Sequence, residues 1–228
     1  MKKIAVTVAL IATNMIVRPD SAKAQEGFQA GIEGTPQMSW LINKDDMDNN
    51  KFEYLNTLNS SFGISAQYGY SPTMAVGLNV LYSFQGQRYK FEGVEQIRKT
   101  EYLKIPLQLI FCNEIGTDWM FIGKIGPQLG LLMNARLTDK DGDNIIKDHK
   151  NAYEDFDFGG ALSLGFGYKL TEMLSIDAAL RGDYAFTDAE NKDYKKNINH
   201  PNGAVTTSRA ITNNATAGVT VGLRYLFK

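Results

Sequence analysis

Cysteine is nearly missing from this chain: Cys112 stands alone among 228 residues. One thiol excludes an internal disulfide framework and any multi-cysteine metal site. Histidine is almost as scarce, with only His149 and His200, which leaves little for a zinc centre or a histidine-based catalytic group. Long apolar runs are missing too. No stretch approaches the roughly 18 to 20 consecutive apolar residues of a spanning helix, and the mean hydropathy is -0.26. A polytopic helical membrane protein is therefore excluded, and neither a cofactor nor a metal site is expected. Nor is there a surplus of positive charge, the formal net charge being -1.

The first residues have a separate character. Lys2 and Lys3 precede a mostly apolar stretch over residues 4–17, and Ala22-Lys23-Ala24 supplies a small-x-small cleavage pattern. This predicts a secretory signal peptide over residues 1–24, with the mature chain over residues 25–228. Its removal takes away Lys2, Lys3, Arg18 and Lys23 together with Asp20, shifting the formal charge from -1 to -4. A chain so charged has no grip on phosphate backbones, and no nucleic-acid partner is expected.

What the mature sequence has in abundance is alternation. In the last segment Ala215, Ala217, Val219, Val221, Leu223, Tyr225 and Phe227 alternate with Thr216, Gly218, Thr220, Gly222 and Arg224. A period of two puts one set on each face of a strand. The same habit recurs in seven earlier segments, beginning near residue 27, and predicts eight strands. Short links near residues 71–73, 114–118 and 171–173 alternate with long polar ones near 43–56, 92–100, 139–153 and 188–211. Short turns on one side and long loops on the other are the signature of an up-and-down outer-membrane barrel. The expected fold is all-β: a single eight-stranded antiparallel transmembrane barrel with short periplasmic turns and four long outer loops.

A soluble lipocalin-like barrel would alternate too, with its apolar set turned inward. Sorting by size argues the reverse here. One set is bulky and nearly uncharged. The other is rich in Gly, Ser, Gln and Asn and carries Glu33, Lys104, Lys124, Asp157, Lys169, Asp177, Arg181, Asp183 and Arg224. Eight strands enclose a space only wide enough for side chains, and buried charges must pair. A plugged lumen holding those nine residues in a charge network is expected. Aromatics at strand ends, among them Trp40, Trp119, Tyr168 and Tyr184, are expected to form interfacial girdles.

Three stretches resemble a known family. YLKIPLQLIF (Tyr102–Phe111), GKIGPQLGLLMNAR (Gly123–Arg136) and FDFGGALSLGFGYKL (Phe156–Leu170) are similar to successive strands of the PorT-like outer-membrane β-barrel family of Bacteroidetes-type bacteria. Lys104 stands where that family often has an acid. The resemblance implies a small outer-membrane barrel. One named member of the family is linked to protein secretion, which makes an accessory role in a secretion apparatus an alternative. The last strand also resembles the signal read by the outer-membrane assembly machinery, with Thr220, Gly222, Tyr225 and Phe227 in its positions and Lys228 beyond the usual final aromatic.

Other patterns carry less. Arg181-Gly182-Asp183 spells an adhesion tripeptide, but alternation puts both charges in the lumen. Asp139-Lys140-Asp141-Gly142-Asp143 departs from a calcium loop, with glycine at the fourth position and Lys150 at the twelfth. Asp45, Asp46 and Asp48 could bridge divalent ions to lipopolysaccharide. His149 and His200 fall in outer loops, and a loop-borne hydrolase or acyltransferase is the third alternative, although no spacing secures a nucleophile and base. The favoured expectation is a non-enzymatic protein with a structural or surface-interaction role. Its expected partners are outer-membrane lipid and lipopolysaccharide, the assembly machinery during insertion, and an unknown loop ligand.

Overall fold

The computed structural model describes residues 26–47, 52–91, 93–192 and 210–227. The segment read as a signal peptide, Asp48 and His200 lie outside the described residues. The strands are β1 (Gly27–Asn43), β2 (Phe52–Leu55), β3 (Leu58–Ser71), β4 (Met74–Phe91), β5 (Val94–Ile115), β6 (Trp119–Asp139), β7 (Asn144–Ile146), β8 (Phe156–Lys169), β9 (Leu174–Ala185) and β10 (Thr212–Phe227). Every pairing is antiparallel. Eight strands run in the ring order β1-β3-β4-β5-β6-β8-β9-β10, and β10 pairs back onto β1 from Phe28↔Phe227 to Asn43↔Thr212. A sheet closed in this way leaves no edge. The short β2 pairs with β4 and β7 with β6 beyond the ring at the long-loop end.

The two faces are sharply different. Along β8, Phe156, Phe158, Leu162, Leu164 and Phe166 point out while Asp157, Ala161 and Ser163 are buried. The pattern repeats round the wall, with Ile64 62% and Leu180 70% exposed. A continuous belt of bulky hydrocarbon far exceeds the apolar patch that a monomer carries in water. Inside, the curvature of a small ring crowds the chains. At Gly165 an added Cβ would lie 2.1 Å from the carbonyl oxygen of Ala178.

The second long connection is not a loop. β4 and β5 stay paired out to Phe91↔Val94, so residues 92 and 93 alone separate them. Gly93, with φ of +89°, supplies the turn, and Lys90 stands opposite Glu95 across the ladder. The expectation of a long polar loop over residues 92–100 is corrected to a projecting hairpin. Three prolines interrupt the ladder within the wall, since each lacks an N–H to donate. Pairing lapses between Gly34↔Val221 and Gln37↔Gly218 beside Pro36, between Leu78↔Leu107 and Leu81↔Lys104 beside Pro106, and between Pro106↔Gln128 and Leu109↔Ile125 beside Pro127.

Candidate functional site

The interior is layered along the barrel axis. At mid-depth lies a charge cluster centred on Arg181 of β9. Its guanidinium donates from Nε to Asp183 Oδ1 at 2.9 Å, from Nη1 to Glu33 Oε1 on β1 at 3.4 Å, and from Nη2 to Gln128 Oε1 on β6 at 3.0 Å. Lys104 of β5 reaches across to Asp183 Oδ2 at 3.2 Å, and Thr216 donates to the same oxygen at 3.1 Å. Asn79 of β4 donates to Glu33 at 2.8 Å. Because β1 and β6 lie on opposite sides of the ring, these bonds span the lumen.

Nearer the short turns, Asp177 pairs with Arg224 at 2.5 Å and Lys124 at 3.6 Å. Asp157 accepts from Asn214 at 2.9 Å. Within these two lumen layers the eight buried charged groups therefore balance: Lys104, Lys124, Arg181 and Arg224 against Glu33, Asp157, Asp177 and Asp183. Charges so deeply enclosed are tolerable only when matched in this way. Lys169 stands apart. It shares the inward parity but lies at the short-turn rim, partly exposed, where it pairs with Glu114. The Arg181-Gly182-Asp183 tripeptide has both charged members sealed in the cluster.

Both ends of the charged layer are closed by apolar packing. Towards the short turns, Ala75, Ile110, Cys112, Met120 and Ile122 form a buried cluster. Towards the long loops, Leu41, Tyr102, Leu132, Ala135, Ala152, Tyr153 and Ala189 form another, with Tyr102 0% exposed. Among the described residues, one cleft at this mouth, lined in part by Tyr54, Gln87, Tyr89 and Arg98, holds about 10 Å³, room for about one water. Its lid is pinned by charge. Arg98 stacks over the Tyr89 ring at 5.2 Å and binds Glu190 at 2.6 Å, and Thr212 donates to Glu190 at 2.9 Å. Asn43 accepts from the backbone N–H groups of Asp45 and Asp46 and donates to Ala210 O and Thr212 Oγ1. The first and fourth long connections are thereby tied together.

These end clusters escape a reading that assigns only small and polar residues to the lumen. The signal was present, since Ile110, Cys112, Met120 and Ile122 share the parity of Gln108 and Lys124. A bulge at Glu101/Tyr102, where Tyr102↔Leu132 is followed by Glu101↔Asn134, puts Asn134 on the outer face although it shares the parity of the inward Lys124 and Gln128. There Glu101 accepts from Tyr82 Oη at 2.5 Å and Asn134 Nδ2 at 3.3 Å and pairs with Arg136.

Of the strand-end aromatics, Trp119 packs on Tyr168 at 5.0 Å at the short-turn end, in the tier of Phe28 and Phe227 at 5.6 Å. Tyr184 packs on Phe186 at 5.9 Å near the long loops, and Trp40 stands opposite Ala215, Tyr184's own partner. Thr220 faces inward and shares a 2.8 Å hydrogen bond with Thr35. Gly222 faces Asp177 where a Cβ would come within 2.7 Å of its Oδ1. Tyr225 and Phe227 face out.

Among the described residues no group of three or more His, Cys, Asp or Glu is placed to hold a metal ion. In the third long connection Asp139 Oδ1 accepts from the backbone of Asp141 and Asp143, which makes it a turn stabiliser. His149 lies half-buried with its ring 5.9 Å from Tyr153. Burial, followed by the nearby Arg98 charge, lowers its pKa below the ordinary histidine value. Unfolding the segment would restore that ordinary value of about 6.5. The stability that neutral His149 confers is thus complete above it and falls as pH drops through it. Amide exchange at Ala152 and Tyr153, corrected for intrinsic rate, should accelerate between about pH 7 and 5.5. His149→Gln should flatten that dependence.

Comparison with known proteins adds the family. No curated protein sequence matches the chain. Solved structures of similar fold include Neisserial surface protein A, at 16% identity with a TM-score of 0.46, covering 89% of this chain and 98% of that one. OprG from Pseudomonas aeruginosa, at 13% identity and a TM-score of 0.46, covers 91% and 100%. Ail from Yersinia pestis, at 14% and 0.40, covers 88% and 100%. The sequence model of the outer membrane protein beta-barrel domain matches residues 21–191, well over half of the chain. With its closed ring and apolar outer belt, the chain belongs to the outer membrane protein β-barrel domain family.

Proposed function

We propose that this protein is a non-enzymatic outer-membrane barrel that acts from its outer surface, in a structural or surface-interaction role, and does not act as a pore. The carrying observation is the sealed lumen. Two apolar plugs bracket a neutral charge cluster, and a cleft between described residues at the mouth holds about one water. Solute passage would require breaking ion pairs such as Arg181–Asp183 and leaving their charges buried and unmatched. What remains available is the long-loop end, where the β4–β5 hairpin, β2 and β7 project beyond the ring.

In planar lipid bilayers the folded protein is expected to give no stepwise conductance above baseline, and discrete openings would overturn the reading. Deleting residues 193–209 should leave folding and secretion intact while abolishing whatever surface ligand is captured by cross-linking on whole cells. Lost secretion with unchanged surface capture would instead support the PorT-like accessory role. We further read Thr220, Gly222, Tyr225 and Phe227 as the assembly signal, because the strand that carries them is the one that closes the ring.

A further inference from the structure

We propose that the outer wall from β1 to β6 binds the phosphorylated glycolipid of the outer leaflet, with a lipid A phosphate held by Lys99 and Arg136 and an acyl chain in the furrow that begins below them at Leu103. The proposal rests on outer-membrane residence with the long loops outward, and deepens the lipid contact that such residence implies. Lys99 and Arg136 stand directly opposite each other on β5 and β6. Thr100 and Ala135, their chain neighbours, are buried inside, so both cations point out. Like charges opposed across a ladder repel unless an anion lies between them. Glu101 pairs with Arg136 through Nη2. Arg136 Nε is buried without an acceptor, and none of the ion pairs among the described residues includes Lys99.

An anion alone would not need the surface beneath. Following β5 down from Lys99 come Glu101 and then Leu103, about 13 Å away at strand rise. Leu103 lies at one edge of an open furrow of about 750 Å³ that crosses the wall from β5 over β4, β3, β1 and β10 to β9, lined in part by Tyr82, Phe62, Ile32, Val221 and Ile176. Tyr82 joins the two parts: its ring lines the furrow and its hydroxyl donates to Glu101. Phe62 and Phe84 pack against it at 6.2 and 5.3 Å. The furrow dips at Gly34, where an added Cβ would meet nothing nearer than Ser61 O at 4.0 Å. The ligand chemistry specified is thus anionic towards the long loops and aliphatic towards mid-depth.

The test is native mass spectrometry of the full mature chain, released from micelles loaded with diphosphoryl lipid A, dephosphorylated lipid A or phosphatidylglycerol. Diphosphoryl lipid A should be retained at least tenfold over the other two. Lys99→Gln, which breaks no ion pair, should cut that retention about tenfold, as should Gly34→Phe, which fills the furrow without backbone strain. Heat-modifiable mobility on gels checks that each variant is folded. Equal retention of the dephosphorylated lipid, equal retention of phosphatidylglycerol, or no change in folded Lys99→Gln would each overturn the site. None of these outcomes bears on the closed lumen, which the conductance measurement tests separately.

Discussion

Arg181→Met is expected to destabilise the barrel by about 3 to 5 kcal/mol, the cost of stripping one partner from a buried ion cluster. The size follows from what would be left behind. Asp183 keeps Lys104 and Thr216. Glu33 keeps only the side-chain amide of Asn79 among the hydrogen bonds that meet it, and it becomes an unmatched carboxylate in the lumen. The midpoint of urea unfolding in lipid vesicles reads the change. A second substitution separates charge from packing. Adding Glu33→Gln to Arg181→Met removes the orphaned charge and should recover most of the loss, whereas two independent packing defects would add. A midpoint for Arg181→Met within experimental error of the parent would mean that the cluster is solvated and the lumen open.

This cluster shows how far a sequence reading reaches in such a fold. Alternation with period two sets parity, and parity separates hydrocarbon from the lumen, so ring architecture and the inward side of Glu33, Arg181 and Asp183 are accessible without coordinates. Parity says nothing of depth. Lys169 has the same parity as Asp177 yet lies at the rim with Glu114, because depth depends on register between strands, which the chain alone does not state. Parity also fails at a bulge, where one extra residue flips everything beyond it; this is why Asn134 meets Glu101 outside the barrel. Strand length is the third gap. Polar residues between 92 and 100 read as a loop, yet once the ends of β4 and β5 are held together by the ring, a glycine turn and opposed charges suffice to continue the ladder.

Leu164→Arg should weaken folding into lipid by about 2 to 4 kcal/mol, the range for a cation placed on the lipid-facing wall near mid-depth. Leu164 is exposed on β8, with Gly123 and Leu180 beside it in register. No carboxylate is opposed to it on either neighbouring strand, so a guanidinium there has hydrocarbon as its surroundings. The informative quantity is the sign. On a water-facing wall, exchanging an exposed leucine for arginine changes stability by no more than about half a kcal/mol, and it improves solubility. Urea titrations of vesicle-inserted protein, with Asp141→Arg in the exposed third connection as a control expected to be silent, distinguish the two. A Leu164→Arg variant that folds as well as its parent, or that remains monomeric in buffer without detergent, would turn the apolar belt into a water-exposed surface and return the fold to the soluble-barrel alternative.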